Sequence, residues 1–293
     1  MMRKFRFEAE TLRTLRHPHI CFFFDTCLIR GAPAIVLELI DGGTLGEYLG
    51  LGEGSKPGPG GSGRMAGVEP AHKASADMGV ERHRVAREGA SGAALLNSIP
   101  SSGRWGAILS SELLQLASDM ASGLHYLHMN GISHRDIKNS NVMVVRGRPA
   151  RAKLCDFGIS ALKSATGEPM SRTFSSIGTM RYQAPEASKI MLDAPDRNVP
   201  RDRLDTVHAP SIDVYSYGLV LYEITHGIVA FQEATAFAAM VMAMDGERPQ
   251  MALRPEHSHL GEIIEACWNA EVHLRPSMET VVQALSIAGT SKP

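Results

Sequence analysis

Two short stretches carry side chains that could do chemistry together. "HRDIKNSN", residues 134–141, brings Asp136, Lys138 and Asn141 close in the chain, and "DFG", residues 156–158, follows fifteen residues after the asparagine. Asp-Phe-Gly alone matches by chance easily. An H-R-D-x-x-x-x-N pattern followed at that distance by Asp-Phe-Gly does not: with positions treated as independent, chance agreement is about one in a million for a chain this long. An isolated Asp or Asn in a turn is ordinarily a cap or a surface group. Taken together, the histidine, arginine, aspartate, lysine and asparagine read as the working part of an enzyme that moves phosphate.

Such a loop must be held by regular elements, and the flanking sequence supplies them. Leu113, Leu116, Ala117, Met120, Leu124 and Leu127 recur at helical spacing after a Ser110-Ser111 start signal, so a helix leads into the loop. "NVMVVRGRPARAKLCDFG" predicts a hairpin with its turn at Gly147 to Pro149, a plausible means of bringing Asn141 and Asp156 together. From Ser211 onward, "SIDVYSYGLVLYEITHG" and later segments read as helices. Upstream, "FRFEAETLRTLRHP" predicts a helix ended by His17-Pro18, because the residue before proline is pushed out of helical geometry. "ICFFFDTCLI" and "PAIVLELI" follow as two strands joined by a turn at Arg30 to Ala32. Between these regions the composition changes: eight of the eighteen residues from Gly50 to Gly67 are glycine. That stretch has little to bury and much entropy to lose on ordering, so residues 50–105 are expected to be a flexible insertion, with "MGVERHRVAREG" a short helix or a solvated loop inside it.

The bulk numbers exclude several classes. The chain has 293 residues, 44% of them hydrophobic, enough for one large domain or two lobes with real cores. Its net charge is -1, so charge implies neither nucleic acid nor an anionic membrane as partner. No apolar run approaches the ~20 residues of a membrane helix, and no apolar core follows the basic "MMRKFRFEAE" to make a secretory signal. The four cysteines, Cys21, Cys27, Cys155 and Cys267, lack metal spacing and suggest a reduced chain. An intracellular, cytoplasmic location is expected.

Further motifs follow in order: "GTMRYQAPE" at 178–186, "DVYSYG" at 213–218, Cys267-Trp268 and "RPS" at 275–277. With these the chain resembles the eukaryotic protein kinases over about residues 5–49 and 106–287, and much of the set is their signature. The lysine two places after the aspartate is as in serine/threonine kinases. "GTMRYQAPE" and "CWNAEVHLRPSM" look most like the tyrosine-kinase-like group. The resemblance implies an α+β, bilobal protein kinase fold: residues 1–49 as part of a β-rich N-lobe (helix C, two strands, hinge and helix D), 50–105 as the insertion, and 106–293 as a mainly helical C-lobe. It also implies transfer of the ATP γ-phosphate to serine or threonine of a protein substrate, with Mg²⁺, or Mn²⁺ in its place, as metal.

Phosphoryl transfer needs positioning and charge neutralisation more than covalent chemistry. By resemblance, Asp136 accepts or orients the proton of the substrate hydroxyl, Lys138 neutralises charge on the transferring group, and Thr179 holds both in place. Asn141 and Asp156 offer hard oxygens to Mg²⁺. His134 and Phe157 pack rather than react, and Gly158 completes the motif. Glu186 and Arg275 resemble a buried ion pair joining the activation segment to the C-lobe, and Asp213 an anchor of the catalytic loop. Arg135 has a second use, gripping a phosphate on an activation loop that offers Thr173, Ser175 and Ser176.

On the N-terminal side, Glu8 shares a helical face with Leu12 and Leu15 and needs a partner there unless it sits at the helix rim. It matches the helix-C glutamate of the family. Leu37 aligns with the gatekeeper, Glu38 and Ile40 with the hinge whose backbone holds adenine, and Met143 with the adenine floor; ordinary strand core also explains Leu37 and Met143. No G-x-G-x-x-G and no lysine on a preceding strand stand before Glu8, since Lys4 falls on the same helix. An exposed strand edge and unburied apolar surface are therefore expected. A shortened product of a normal kinase and a catalytically impaired scaffold both explain this, and the intact Asp136, Lys138, Asn141 and Asp156 favour the first. A small-molecule phosphotransferase ranks third, because "GTMRYQAPE" with Arg275 points to a peptide substrate.

Overall fold

The computed structural model describes residues 9–10, 12–51, 105–156, 177–193 and 209–290. Glu8, Phe157, Gly158 and the candidate phosphorylation sites Thr173, Ser175 and Ser176 lie outside the described residues, as does "MGVERHRVAREG".

The N-terminal part begins with helical residues that stop at Thr14, three residues before His17-Pro18. Strands β1 (Phe23–Ile29) and β2 (Ala32–Leu37) then form an antiparallel pair, with Ile29 opposite Ala32. Their turn is Arg30-Gly31, both at positive φ, and glycine is the residue that adopts this without a Cβ penalty. Phe24, Leu28, Ile29, Val36 and Leu37 remain exposed, so this hairpin carries the unburied apolar surface that the sequence predicts. Helix α1 (Leu45–Leu49) follows. Thr44 and Glu47 form a capping box at its start, and Gly50 ends it in the left-handed conformation.

The chain is described again from Trp105, which is buried and donates its indole N–H to the Ile224 carbonyl at 2.7 Å. The folded part therefore includes the residue placed last in the insertion. Helix α2 (Ser110–Met129) buries all six of the apolar residues that recur at helical spacing. Each leucine so buried contributes about 1.5–3 kcal/mol over an exposed one. The start signal differs from expectation: Leu109 is the N-cap, with no side-chain hydrogen bond. Strands β3 (Val142–Val145) and β4 (Arg151–Leu154) form a second antiparallel pair, with Met143 opposite Lys153.

Helices α3 (Pro185–Asp193), α4 (Ala209–His226), α5 (Ala236–Met244), α6 (Gly261–Cys267) and α7 (Met278–Thr290) complete the helical part. Helix α4 is the centre of the core. Val214, Tyr215, Tyr217, Leu219, Val220, Leu221, Tyr222 and Ile224 are all buried, as expected of a helix that is apolar all round. Helix α2 packs on α4, α7 and β4. One buried carboxylate pins this junction: Asp119 of α2 accepts both Arg151 Nε at 2.7 Å and Arg151 Nη2 at 2.9 Å, and also the Ala152 backbone N–H at 3.0 Å. The fold is α+β and bilobal, with few strands N-terminally and a helical C-terminal part. No helix among the described residues is long and apolar enough to cross a membrane.

Candidate active site

The loop between α2 and β3 is tied down from below by Asp213 on α4, which is fully buried. Its carboxylate accepts the backbone N–H of His134 at 2.7 Å on one oxygen and that of Arg135 at 2.6 Å on the other. His128 Nε2 lies 2.9 Å from the same carboxylate. Arg135 adopts a φ of 63°, unusual for a residue with a Cβ, and the Asp213 bond holds it there. His134 is buried, with Nε2 3.1 Å from the Cys155 carbonyl. Burial holds its imidazole below the ordinary histidine range, so it is neutral and serves as packing between the loop and the end of β4.

These anchors present Asp136 in a defined pose. Asn141 Nδ2 donates to both the Asp136 backbone carbonyl and Asp136 Oδ2, each at 2.8 Å. Lys138 Nζ sits 3.0 Å from the same Oδ2 and donates to Thr179 Oγ1 at 2.9 Å. Asp136 Oδ1 is buried and has no hydrogen-bond partner among the described residues. One carboxylate oxygen is thus fully used for positioning while the other is left over. A buried acceptor without a partner costs about 1–3 kcal/mol, which a substrate hydroxyl would recover.

The hairpin brings Asp156 beside Asn141 through a 2.9 Å bond from Cys155 N–H to the Asn141 carbonyl. Asp156 is exposed at a φ of 54°, a second strained backbone position in the site. With the Asn141 amide nitrogen spent on Asp136, its amide oxygen is the atom that remains for a cation. Among the described residues no cluster of three His, Cys, Asp or Glu side chains could cage a metal.

Leu37 closes β2, and Glu38, Leu39 and Ile40 lie outside the strand. Leu37 is exposed on the hairpin rather than in a core. Glu38 Oε1 pairs with Lys153 Nζ on β4. Met143 is half-buried on β3, bridged to Thr44 on its other edge. That docking needs Gly42: a Cβ there would lie 2.0 Å from the Val144 carbonyl oxygen.

Two groups hold the far side. Arg275 makes a bidentate pair with Glu186, at 2.7 and 2.8 Å, and also donates to the Asn269 and Ser211 carbonyls. Glu223 on α4 was not singled out by the sequence reading. It is fully buried and accepts from Asn139 Nδ2 at 2.8 Å, Tyr182 Oη at 2.8 Å and Ala230 N–H at 3.0 Å. Burial pushes its carboxyl up to about 7 against these donors. It links the loop carrying Asp136 to the segment carrying Thr179. The signal was present, an acid inside the apolar run Leu219 to Ile224, which must find partners inside the core.

A bilobal fold with this loop, this hairpin and this carboxylate arrangement defines a protein kinase domain. The chain belongs to the family described as protein tyrosine and serine/threonine kinase, whose sequence profile matches residues 1–285. Its relatives place it in the tyrosine-kinase-like group. It is 32% identical over 176 residues to the serine/threonine/tyrosine-protein kinase HT1 of Arabidopsis thaliana, covering 59% of this chain and 39% of that one. It is 26% identical to the serine/threonine-protein kinase VIK of the same plant, over 97% of this chain and 50% of that one. To the dual specificity protein kinase shkC of Dictyostelium discoideum it is 28% identical, over 96% of this chain and 42% of that one. The chain spans half or less of the length of each of these relatives.

Proposed function

We propose that this chain transfers the γ-phosphate of ATP to serine or threonine hydroxyls of protein substrates, with Mg²⁺ as the metal. The observation that carries this is the pose of Asp136: Oδ2 held by Asn141 and Lys138, Oδ1 buried without a partner among the described residues. In this reading Oδ1 accepts the hydroxyl hydrogen bond and orients the attacking oxygen. Lys138, shared between Asp136 and Thr179, keeps a positive charge beside the transferring group. Asn141 and Asp156 hold the metal, whose contribution is to neutralise charge on the phosphates. The backbone of Glu38 and Ile40 and the side chain of Met143 receive adenine, and Glu186 and Arg275 support the peptide-binding segment. A kinase-like scaffold without activity is not favoured, since the relatives are named as kinases and the constellation around Asp136 is assembled.

The test is phosphate incorporation from Mg-ATP into a generic serine/threonine protein substrate by the 293-residue chain, compared with Asp136→Asn. The substitution keeps shape and removes the carboxylate: the amide oxygen stays with Asn141 and Lys138 while an NH₂ donor replaces Oδ1, so kcat is expected to fall by about 10²–10⁴ with a little-changed melting temperature. Transfer that is insensitive to Asp136→Asn, or no transfer by the parent chain, overturns the reading.

A further inference from the structure

The segment that leaves β2 is fastened at both ends to one rung of the β3–β4 hairpin. Met143 and Lys153 are directly opposite each other in that hairpin, so their side chains share a face. At the near end of the segment, Lys153 Nζ meets Glu38 Oε1 at 2.6 Å. The same oxygen accepts the Phe22 backbone N–H at 2.6 Å, and the Glu38 N–H donates to the Phe22 carbonyl at 2.9 Å. At the far end, Thr44 forms a β-bridge with Met143, and Val144 N–H donates to the Gly43 carbonyl at 2.9 Å. Between these two fixings lie Leu39 to Gly42, with the Leu39 side chain 97% exposed. Within the span, Asp41 Oδ1 accepts the Arg146 backbone N–H at 3.2 Å and Gly42 lies against Val144, so Leu39 and Ile40, next to Glu38, are the part that makes no hydrogen bond to the hairpin among the described residues.

We propose that Lys153 is a positioning residue for the nucleotide: by pairing with Glu38 it fixes the near end of the 38–44 segment to the rung that also carries Met143. This rests on the reading that Glu38, Ile40 and Met143 receive adenine. A surface ion pair is ordinarily worth little. This one differs in two respects. Its side chains are only 19% and 22% exposed, and its acceptor oxygen is shared with a backbone N–H, so its geometry is set by the strand. The far end is fixed by backbone hydrogen bonds and by the close approach of Gly42 to the Val144 carbonyl, whereas the near end is clamped to the hairpin by the Lys153 side chain. Losing it leaves Glu38 tied to the hairpin only indirectly, through Phe22 and the Cys21 N–H bond to the Leu154 carbonyl, so residues 38–40 can shift relative to Met143 and a ligand held between them is weakened.

The experiment uses the whole chain and two variants. Lys153→Met keeps the aliphatic stem and removes the charge, and Lys153→Arg keeps the charge. Mg-ATP binding is measured by calorimetry, and amide hydrogen exchange is followed over residues 38–44 without nucleotide. Lys153→Met is expected to raise the Kd and the KM for ATP together by about tenfold, with kcat at saturating ATP within twofold, since the group at Asp136 is untouched. Exchange over 38–40 is expected to speed up, while Lys153→Arg stays within threefold of the parent in binding. A parent chain that binds Mg-ATP and a Lys153→Met chain that binds it equally well overturn the clamp alone. Unchanged exchange in Lys153→Met also overturns it. A parent chain that binds no nucleotide overturns the nucleotide-site reading, and the positioning role falls with it.

Discussion

Asp213→Asn changes one atom of the group that fixes the catalytic loop. In the native chain both carboxylate oxygens accept from successive backbone N–H groups, those of His134 and Arg135, at 2.7 and 2.6 Å. An amide offers one acceptor oxygen and turns two donor hydrogens toward the other N–H. One charge-assisted bond of about 1.5–3 kcal/mol is lost, and a buried donor is left without an acceptor. If the lost bond is that of Arg135, its φ of 63°, a conformation that costs about 1–2 kcal/mol, loses that support. The expected loss of stability is therefore about 3 kcal/mol, read as a shift of the urea midpoint at unchanged slope. Asp136 is the next residue, and a displacement near 1 Å at such a position costs about 10² in rate. Initial rates taken where the variant is still folded should show kcat down by about that factor and the KM for ATP little changed. A variant within 0.5 kcal/mol of the parent in stability and within about twofold in kcat would refute the view that Asp213 sets the pose of Asp136.

Two buried groups give stability opposite pH slopes. His226 accepts the Ala252 N–H on Nε2 at 3.1 Å, and burial lowers its pKa to about 4, so the unfolded chain binds a proton that the folded one refuses. Its contribution is present above pH 6.5 and is lost as pH falls toward 4, by up to about 3 kcal/mol, and His226→Asn should flatten that acid limb in urea titrations. Glu223 runs the other way: its folded pKa, raised from 4.5 to about 7 by burial, makes stability fall as pH rises through that window. The gap between the parent and Glu223→Gln should narrow by up to about 3 kcal/mol from pH 5 to pH 8. Arg275→Lys keeps the charge but cannot hold both Glu186 oxygens and two carbonyls, so a loss of about 2–4 kcal/mol is expected by thermal unfolding. Gly42→Ala puts a methyl into the Val144 carbonyl and should weaken ATP binding before it affects the melting temperature of the helical part.

The sequence by itself carried the local and periodic information. Six apolar residues at helical spacing sufficed to draw α2, because a helix buries one face and the pattern records it. The hairpin was legible because its turn residues stand between two short strands, and the loop at Asp136 because its spacing is improbable by chance. Helix starts were less legible: Leu109 is the N-cap of α2 and makes no side-chain cap, although Ser110 and Ser111 follow it. What only the tertiary structure decided is which distant groups satisfy one another. Asp119 finds Arg151, Glu223 finds Asn139 and Tyr182, and Glu38 finds Lys153 across 115 positions of chain. The sequence marked Glu223 as an acid among apolar residues but could not name its partners. A buried charge must be paired, yet which donor reaches it depends on how α4, the catalytic loop and the hairpin pack, and no spacing along the chain encodes that distance.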